Sequence, residues 1–269
     1  MSGLQGFVDC QRSVLRMEGA DARDVLQNVV TNDLDRVVSG QAVYAALLTP
    51  QGKYLFDFML LAGSDGALLI DTATDGAEAL VQRLKMYCLR RDARITGTAG
   101  LGVALVWGGT PPDCGLAVPD PRTAALGWRI YAADPEAALA ATGEAPADRA
   151  AYDAIRIANL IPASNIELVR DETYILEAGF EALNGVDFRK GCYVGQEVTA
   201  RMKHKTELKK RLVQVRVEGE AAPGTPVTTD GKPAGTLFSQ AQGRGLAHLR
   251  IDRAGGVLEA GAARVIYEG

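Results

Sequence analysis

The sequence predicts an α+β chain that closes with a small β-rich unit, a barrel or a sandwich. Two features lead there. Between residues 20 and 160, strand-like and helix-like apolar patterns mix without the steady alternation that builds a doubly wound sheet. After about Thr206 the texture changes to short runs broken by Pro and Gly: "RLVQVRV", "TPVTTDGKPAGTLFS", "GRGLAHLRI" and "ARVIYE". We therefore expect two domains, residues 1–205 and 206–269.

Within the first domain, "DARDVLQNVV" opens with Asp21 as a candidate N-cap and a second acid three residues later, so a short helix should start there. "QAVYAALL", "YLFDFMLL" and "ALLID" are apolar runs separated by "TPQGK" and "AGSDG", where Pro and Gly suit tight reversals. They read as an antiparallel meander. "DGAEALVQRLKMYCLRRD" puts Ala77, Leu80, Leu84 and Cys88 at helical spacing, which makes Cys88 a packed small residue. Strand-like "ARITG", "GVALVWG" and "GWRIYAA" follow, then helical patterns over 134–142 and 148–159.

Composition narrows the function classes. With 47% hydrophobic and 23% charged residues, a chain of 269 can bury a substantial core. A formal charge of −4 argues against nucleic acid or an anionic membrane as a partner of the whole surface. "MSGLQGFVDC" has no charged leader followed by an apolar stretch, and no apolar run is long enough to span a bilayer, so the expectation is a cytoplasmic protein with no membrane contact. Four scattered cysteines and two histidines show no zinc or iron–sulfur ligand spacing, so no metal site is expected. Phosphate-binding glycine loops and a serine-hydrolase elbow are absent as well.

"FRKGCYVGQEVTARMKHK", residues 188–205, is the segment that carries chemistry. Cys192 follows Arg189 and Lys190 and precedes a helix start expected near Gly195, a setting in which a positive field favours thiolate. Gly191 and Gly195 would allow close backbone approach to a ligand. A small buried cysteine beside a simple turn is the competing reading. Downstream, "RMKHKTELKKR" holds six Lys or Arg residues; it is either a solvated face or a landing site for a polyanion such as RNA or a polyglutamate tail.

"KGCYVGQE", Lys190 to Glu197, resembles the K-G-C-Y-x-G-Q-E signature of the YgfZ family, folate-binding proteins of iron–sulfur maturation related to the glycine-cleavage aminomethyltransferase, or T-protein. "LQNVVTNDL" resembles the family's L-Q-x-x-V-T-N-D stretch and "LKMYCLRRDARI" its L-x-x-Y-x-L-R segment, while "RIANLIPASNIEL" and "LEAGFEALNGVDF" are similar to its approach to the signature. The resemblance covers roughly residues 10–205. It implies a ring of two α+β subdomains with a C-terminal β-barrel around a central folate site, and tetrahydrofolate or a reduced derivative as cofactor.

By the same resemblance, Asp57 in "GKYLFDFML" falls where a T-protein carboxylate lies beside the reactive folate nitrogens, and Glu177 where a glutamate meets the pterin ring. Flanked by Phe56 and Phe58, Asp57 would be partly desolvated if it shared their face. Lys190, Gly191, Tyr193, Gly195 and Gln196 join the candidate folate contacts through the signature. Arg156 matches an R-x-x-x-G arginine but lacks the glycine, leaving a folate contact and an internal salt bridge as alternatives. Cys192, which aminomethyltransferases lack, points to the iron–sulfur branch and is the candidate reactive thiol. The expected function is help in assembling or repairing [4Fe–4S] clusters in client proteins. The rivals are a tetrahydrofolate-dependent aminomethyltransferase or demethylase, with Asp57 catalytic, and a non-catalytic adaptor using the basic stretch.

Overall fold

The computed structural model describes residues 3–97, 99–205 and 207–269; Thr206, where the sequence places the domain boundary, lies outside them. In chain order the elements are β1 (Gln5–Val8), β2 (Arg12–Glu18), α1 (Ala22–Gln27), β3 (Val43–Leu48), β4 (Tyr54–Ala62), β5 (Leu68–Ala73), α2 (Thr74–Tyr87), β6 (Arg94–Thr96), β7 (Gly102–Trp107), β8 (Leu116–Pro119), β9 (Trp128–Ala132), α3 (Pro135–Ala140), β10 (Ala145–Pro146), α4 (Arg149–Ala158) and α5 (Gln196–Lys205). The remaining strands are β11 (Lys210–Glu218), β12 (Thr225–Thr229), β13 (Lys232–Ala241), β14 (Arg244–Arg250), β15 (Val257–Ala260) and β16 (Ala263–Ile266).

They form two five-stranded sheets, ordered β3-β4-β5-β2-β6 and β10-β1-β7-β9-β8, and a closed barrel ordered β11-β14-β13-β12-β15-β16. The meander read from the sequence is the β3-β4-β5 antiparallel set. Its strands are apolar throughout because both faces are covered, and the period of two sorts the side chains. Tyr44, Ala46, Met59 and Leu61 point to one core, while Val43, Ala45, Phe58 and Leu60 point to the other. The first core lies between the two sheets, where Val103, Leu105 and Tyr131 of the second sheet meet it. The second lies under α1 and α2, supplied by Leu26, Leu80 and Leu84. The outer face of the second sheet packs against Leu139 of α3.

Asp21 precedes α1, yet its side chain makes no cap. It accepts instead from the Asp92 N–H at 2.9 Å, so the acid ties the helix start to a distant loop. The barrel is joined to the sheets through α4: Ile157 packs with Leu212 and Leu246, and Gln214 donates to the Ile157 carbonyl at 2.8 Å. No helix among the described residues is long and apolar enough to cross a membrane.

Candidate functional site

A cavity of about 670 Å³ opens between the sheets, lined by residues of the β1–β2 turn, β4, the start of α2, β9, α4 and the segment 162–166. Asp57 is the carboxylate that β4 presents to it. Strand alternation sends Phe56 and Phe58 to the helix-covered core and Asp57 to the opposite side, so the phenylalanines do not desolvate it as the sequence suggested. Three hydroxyls hold the buried carboxylate: Tyr54 at 2.7 Å and Ser164 at 2.6 Å on Oδ1, and Tyr44 at 3.1 Å on Oδ2. Burial and the Asp57 charge push the Tyr44 and Tyr54 phenols well above their ordinary value, so both remain donors.

Beside Asp57 the cavity floor is built from arginines. Arg12, at the start of β2, and Arg129 of β9 share Asp71 of β5, at 2.6 and 2.8 Å. Arg129 also meets Asp120 at 3.0 Å, and Arg122 meets it at 2.8 Å. Tyr131 donates to Asp71 at 2.8 Å. Burial alone would lift both acids, but the facing guanidiniums outweigh it and hold Asp71 and Asp120 below the usual carboxylate range. Three cations on two anions leave one positive charge in this cluster, and Asp57 adds its attraction to that of Asp71 on Arg12. At the mouth, Arg149 pairs with Asp9 and Cys10 is exposed.

Arg156 lines the cavity and forms the salt bridges that the sequence offered as one of its two alternatives. It binds Asp153 at 2.6 Å and the fully buried Glu167 at 3.2 Å, and it reaches Ser239 of β13, while Glu167 also accepts from the Ser239 N–H at 3.1 Å. The arginine thus fastens α4 and the cavity wall to the barrel.

The signature segment lies elsewhere. Lys190 turns inward, its ammonium donating to the carbonyls of Gln27, Val30 and Asn32 at 2.7, 2.6 and 2.9 Å. Burial pushes it down to about 8, with Asp33 and Asp187 opposing. Those three carbonyls occupy the ammonium, so it acts as a brace and not as a folate contact or a thiol activator. Gly195 has φ +83°, and a side chain there would come within 2.6 Å of the Thr49 carbonyl, so its glycine serves close packing on the β3–β4 turn. Gln196 closes the loop weakly, its amide 3.5 Å from the Gly191 carbonyl. Tyr193 is buried in the inter-sheet core, and that burial lifts its phenol to about 12. Gly191 and Cys192 are exposed.

Glu177 is half-buried at the barrel seam, where its own carbonyl accepts from the Leu212 N–H at 2.7 Å. Burial raises its carboxyl, with Lys210 and Lys53 pulling the other way. Of the candidate residues, Asp57 and Arg156 line the cavity; Glu177, Lys190, Gly191, Cys192, Tyr193, Gly195 and Gln196 do not. Asp57 and Cys192, the candidate acid and the candidate thiol, therefore occupy different places. Sequence reasoning missed Arg12, Asp71, Asp120, Arg122, Arg129 and Ser164. A charge inside an apolar strand, as in "LLIDTA" and "WRIYA", was the available signal.

Comparison with known proteins follows from this geometry. The family model described as CAF17, C-terminal beta-barrel domain, matches residues 209–268. The crystal structure of glycine cleavage system aminomethyltransferase T from Bartonella henselae superposes with a TM-score of 0.78 at 15% identity, covering 98% of this chain and 84% of that one. The fold is thus the T-protein fold with a closed barrel. The mitochondrial iron-sulfur cluster assembly factor IBA57 of Mus musculus is 33% identical over 92% of this chain and 78% of its own, and that of Homo sapiens is 31% identical over the same shares. Both relatives are mitochondrial proteins, which overturns the cytoplasmic location expected from the sequence. By this degree of identity and coverage, the chain belongs to the IBA57 family of iron–sulfur cluster assembly factors.

Proposed function

We propose that this protein holds tetrahydrofolate, or a reduced derivative, in the inter-sheet cavity, and that it assists assembly or repair of [4Fe–4S] clusters in client proteins. Within the family we place it in the YgfZ branch, on its "KGCYVGQE" signature. The observation that carries the folate half is Asp57, an acceptor-only carboxylate fixed by three hydroxyls in a cavity of about 670 Å³. That volume falls in the range of small-molecule sites, roughly 300–1,000 Å³.

The residues present fit a folate. Asp57 would accept from an N–H of the reduced pterin or from a protonated ring amine. Arg12, Arg122 and Arg149 stand in the lining, where guanidiniums suit the carboxylates of a glutamate tail. When bound, folate supplies a nitrogen able to carry a one-carbon unit; this chain's own part is to bind, orient and shield it from water. Cys192 would act at the surface, where a client protein can reach its thiol. The names of the mammalian relatives support the cluster half of the reading.

A second reading, aminomethyl transfer or demethylation with Asp57 holding the amine, is favoured by that same carboxylate. It requires turnover of a methylamine donor that depends on both folate and Asp57. The cluster reading is tested in cells that lack the native gene and carry Cys192→Ala: aconitase-type activities should fall while protein levels hold. Activities equal to wild type would count against it.

A further inference from the structure

The L-x-x-Y-x-L-R stretch at the end of α2 has no part in the cavity or the thiol loop. Leu84 is buried and Tyr87 packs on the helix-covered core, but Leu89 is 75% exposed and Met86 62%. These are the two most exposed large apolar side chains among the described residues, Met86 in the last turn of α2 and Leu89 just beyond its end. Arg83, Lys85, Arg90, Arg91 and Arg94 surround them in sequence, all exposed. Of the five, Arg91 alone is ion-paired among the described residues, with Asp21 at the long distance of 4.0 Å. The nearest acid in sequence, Asp92, is engaged with the Ala20 N–H at 3.2 Å. Arg90, in the turn after α2, has φ +64°, the left-handed region that favours glycine, so its backbone is strained. Folding accounts for Leu84 and Tyr87; it gives no reason for a bare leucine beside five exposed cations, four of them without an ion pair among the described residues.

We propose that this helix end is a docking knob for an acidic patch on an iron–sulfur client or carrier protein, Met86 and Leu89 filling an apolar hollow and the cations facing carboxylates around it. The proposal rests on the cluster-assembly reading above. Charge complementarity selects the occupant: the chain as a whole carries −4, so the attraction is local and needs a partner that is acidic at that spot. Its position suits the role. Tyr87 and Cys88 pack on the same buried cluster as Val194, two residues beyond Cys192. The helix end and the loop that carries the thiol thus share one buried cluster.

Binding of the purified full-length chain to two probes, apo-aconitase and an acidic [2Fe–2S] ferredoxin, tests this, with phosphatidylglycerol vesicles as a membrane arm. Wild type should bind at least one protein probe, more weakly at high salt, and ignore the vesicles. Leu89→Ser and the double change Arg90→Glu, Arg94→Glu should each weaken binding by about tenfold or more with an unchanged circular dichroism spectrum. Arg90→Gly sharpens the test, since relief of the left-handed strain should raise the unfolding temperature while docking still weakens; a purely structural arginine would not separate the two. Cys192→Ala should dock like wild type, so a failure of the thiol reading and a failure of the knob are told apart. Equal affinity of the variants, no binding of either protein by wild type, or vesicle binding with the same residue dependence would overturn the proposal.

Discussion

The cavity and the signature loop hold the two candidate chemistries under opposite conditions. In the cavity the charges are buried and matched in advance: Asp57 by three hydroxyls, Asp71 by two arginines and a tyrosine. At the loop the buried charge, Lys190, is structural, and the candidate thiol stands outside in solvent. A buried, preset array suits a small ligand whose dehydration must be repaid by fixed partners. An exposed thiol on a braced turn suits a partner too large to enter. The proposed ligand site and the candidate thiol are thus kept apart.

The comparison breaks first at Asp71. If the cavity charges are balanced in advance, Asp71→Ala leaves Arg12 and Arg129 buried without their shared anion, and stability should fall by roughly 3–5 kcal/mol in urea unfolding. A loss below about 1 kcal/mol, the scale of a surface pair, would mean that the cluster is solvated. Next comes the loop's brace. Lys190→Met strips three carbonyls of their donor and should cost about 2–3 kcal/mol in the same measurement. The thiol's rate with an alkylating probe should change little in folded protein, because Lys190 braces without activating; a fall of tenfold or more would restore it as an activator.

The barrel seam supplies a control outside both regions. His248 is pushed down to about 4, first by burial and then by Lys210, from an ordinary 6.5. Between those values the unfolded chain binds more protons than the folded one. Its contribution is therefore complete above pH 6.5 and drains away as the pH falls toward 4, by roughly 3 kcal/mol in all. His248→Phe should flatten that part of the stability curve without altering ligand binding in the cavity.

Much of the fold was readable because it rests on periodicity. The meander, α2, and the change of texture that became the barrel all follow from local pattern. The site was less readable, for two reasons. The arginine cluster joins residues 58 and 59 positions apart, and no local pattern announces such a pair. Lys190 beside Cys192 looked like an activator because neighbours in sequence need not share a direction; the backbone turns one inward and leaves the other in water. Asp57 between two phenylalanines misled for the reverse reason, since strand neighbours point to opposite faces. The family motif led to Asp57, which lines the cavity, while its surroundings had to come from the fold.

Titration of wild type, Asp57→Asn and Cys192→Ala with tetrahydrofolate, followed by protein fluorescence, tests the separation of ligand site and thiol most directly. The account predicts saturable binding by wild type, an affinity at least about tenfold weaker for Asp57→Asn, and no change for Cys192→Ala. Loss of binding on removing the thiol, or unaltered binding without the carboxylate, would contradict it.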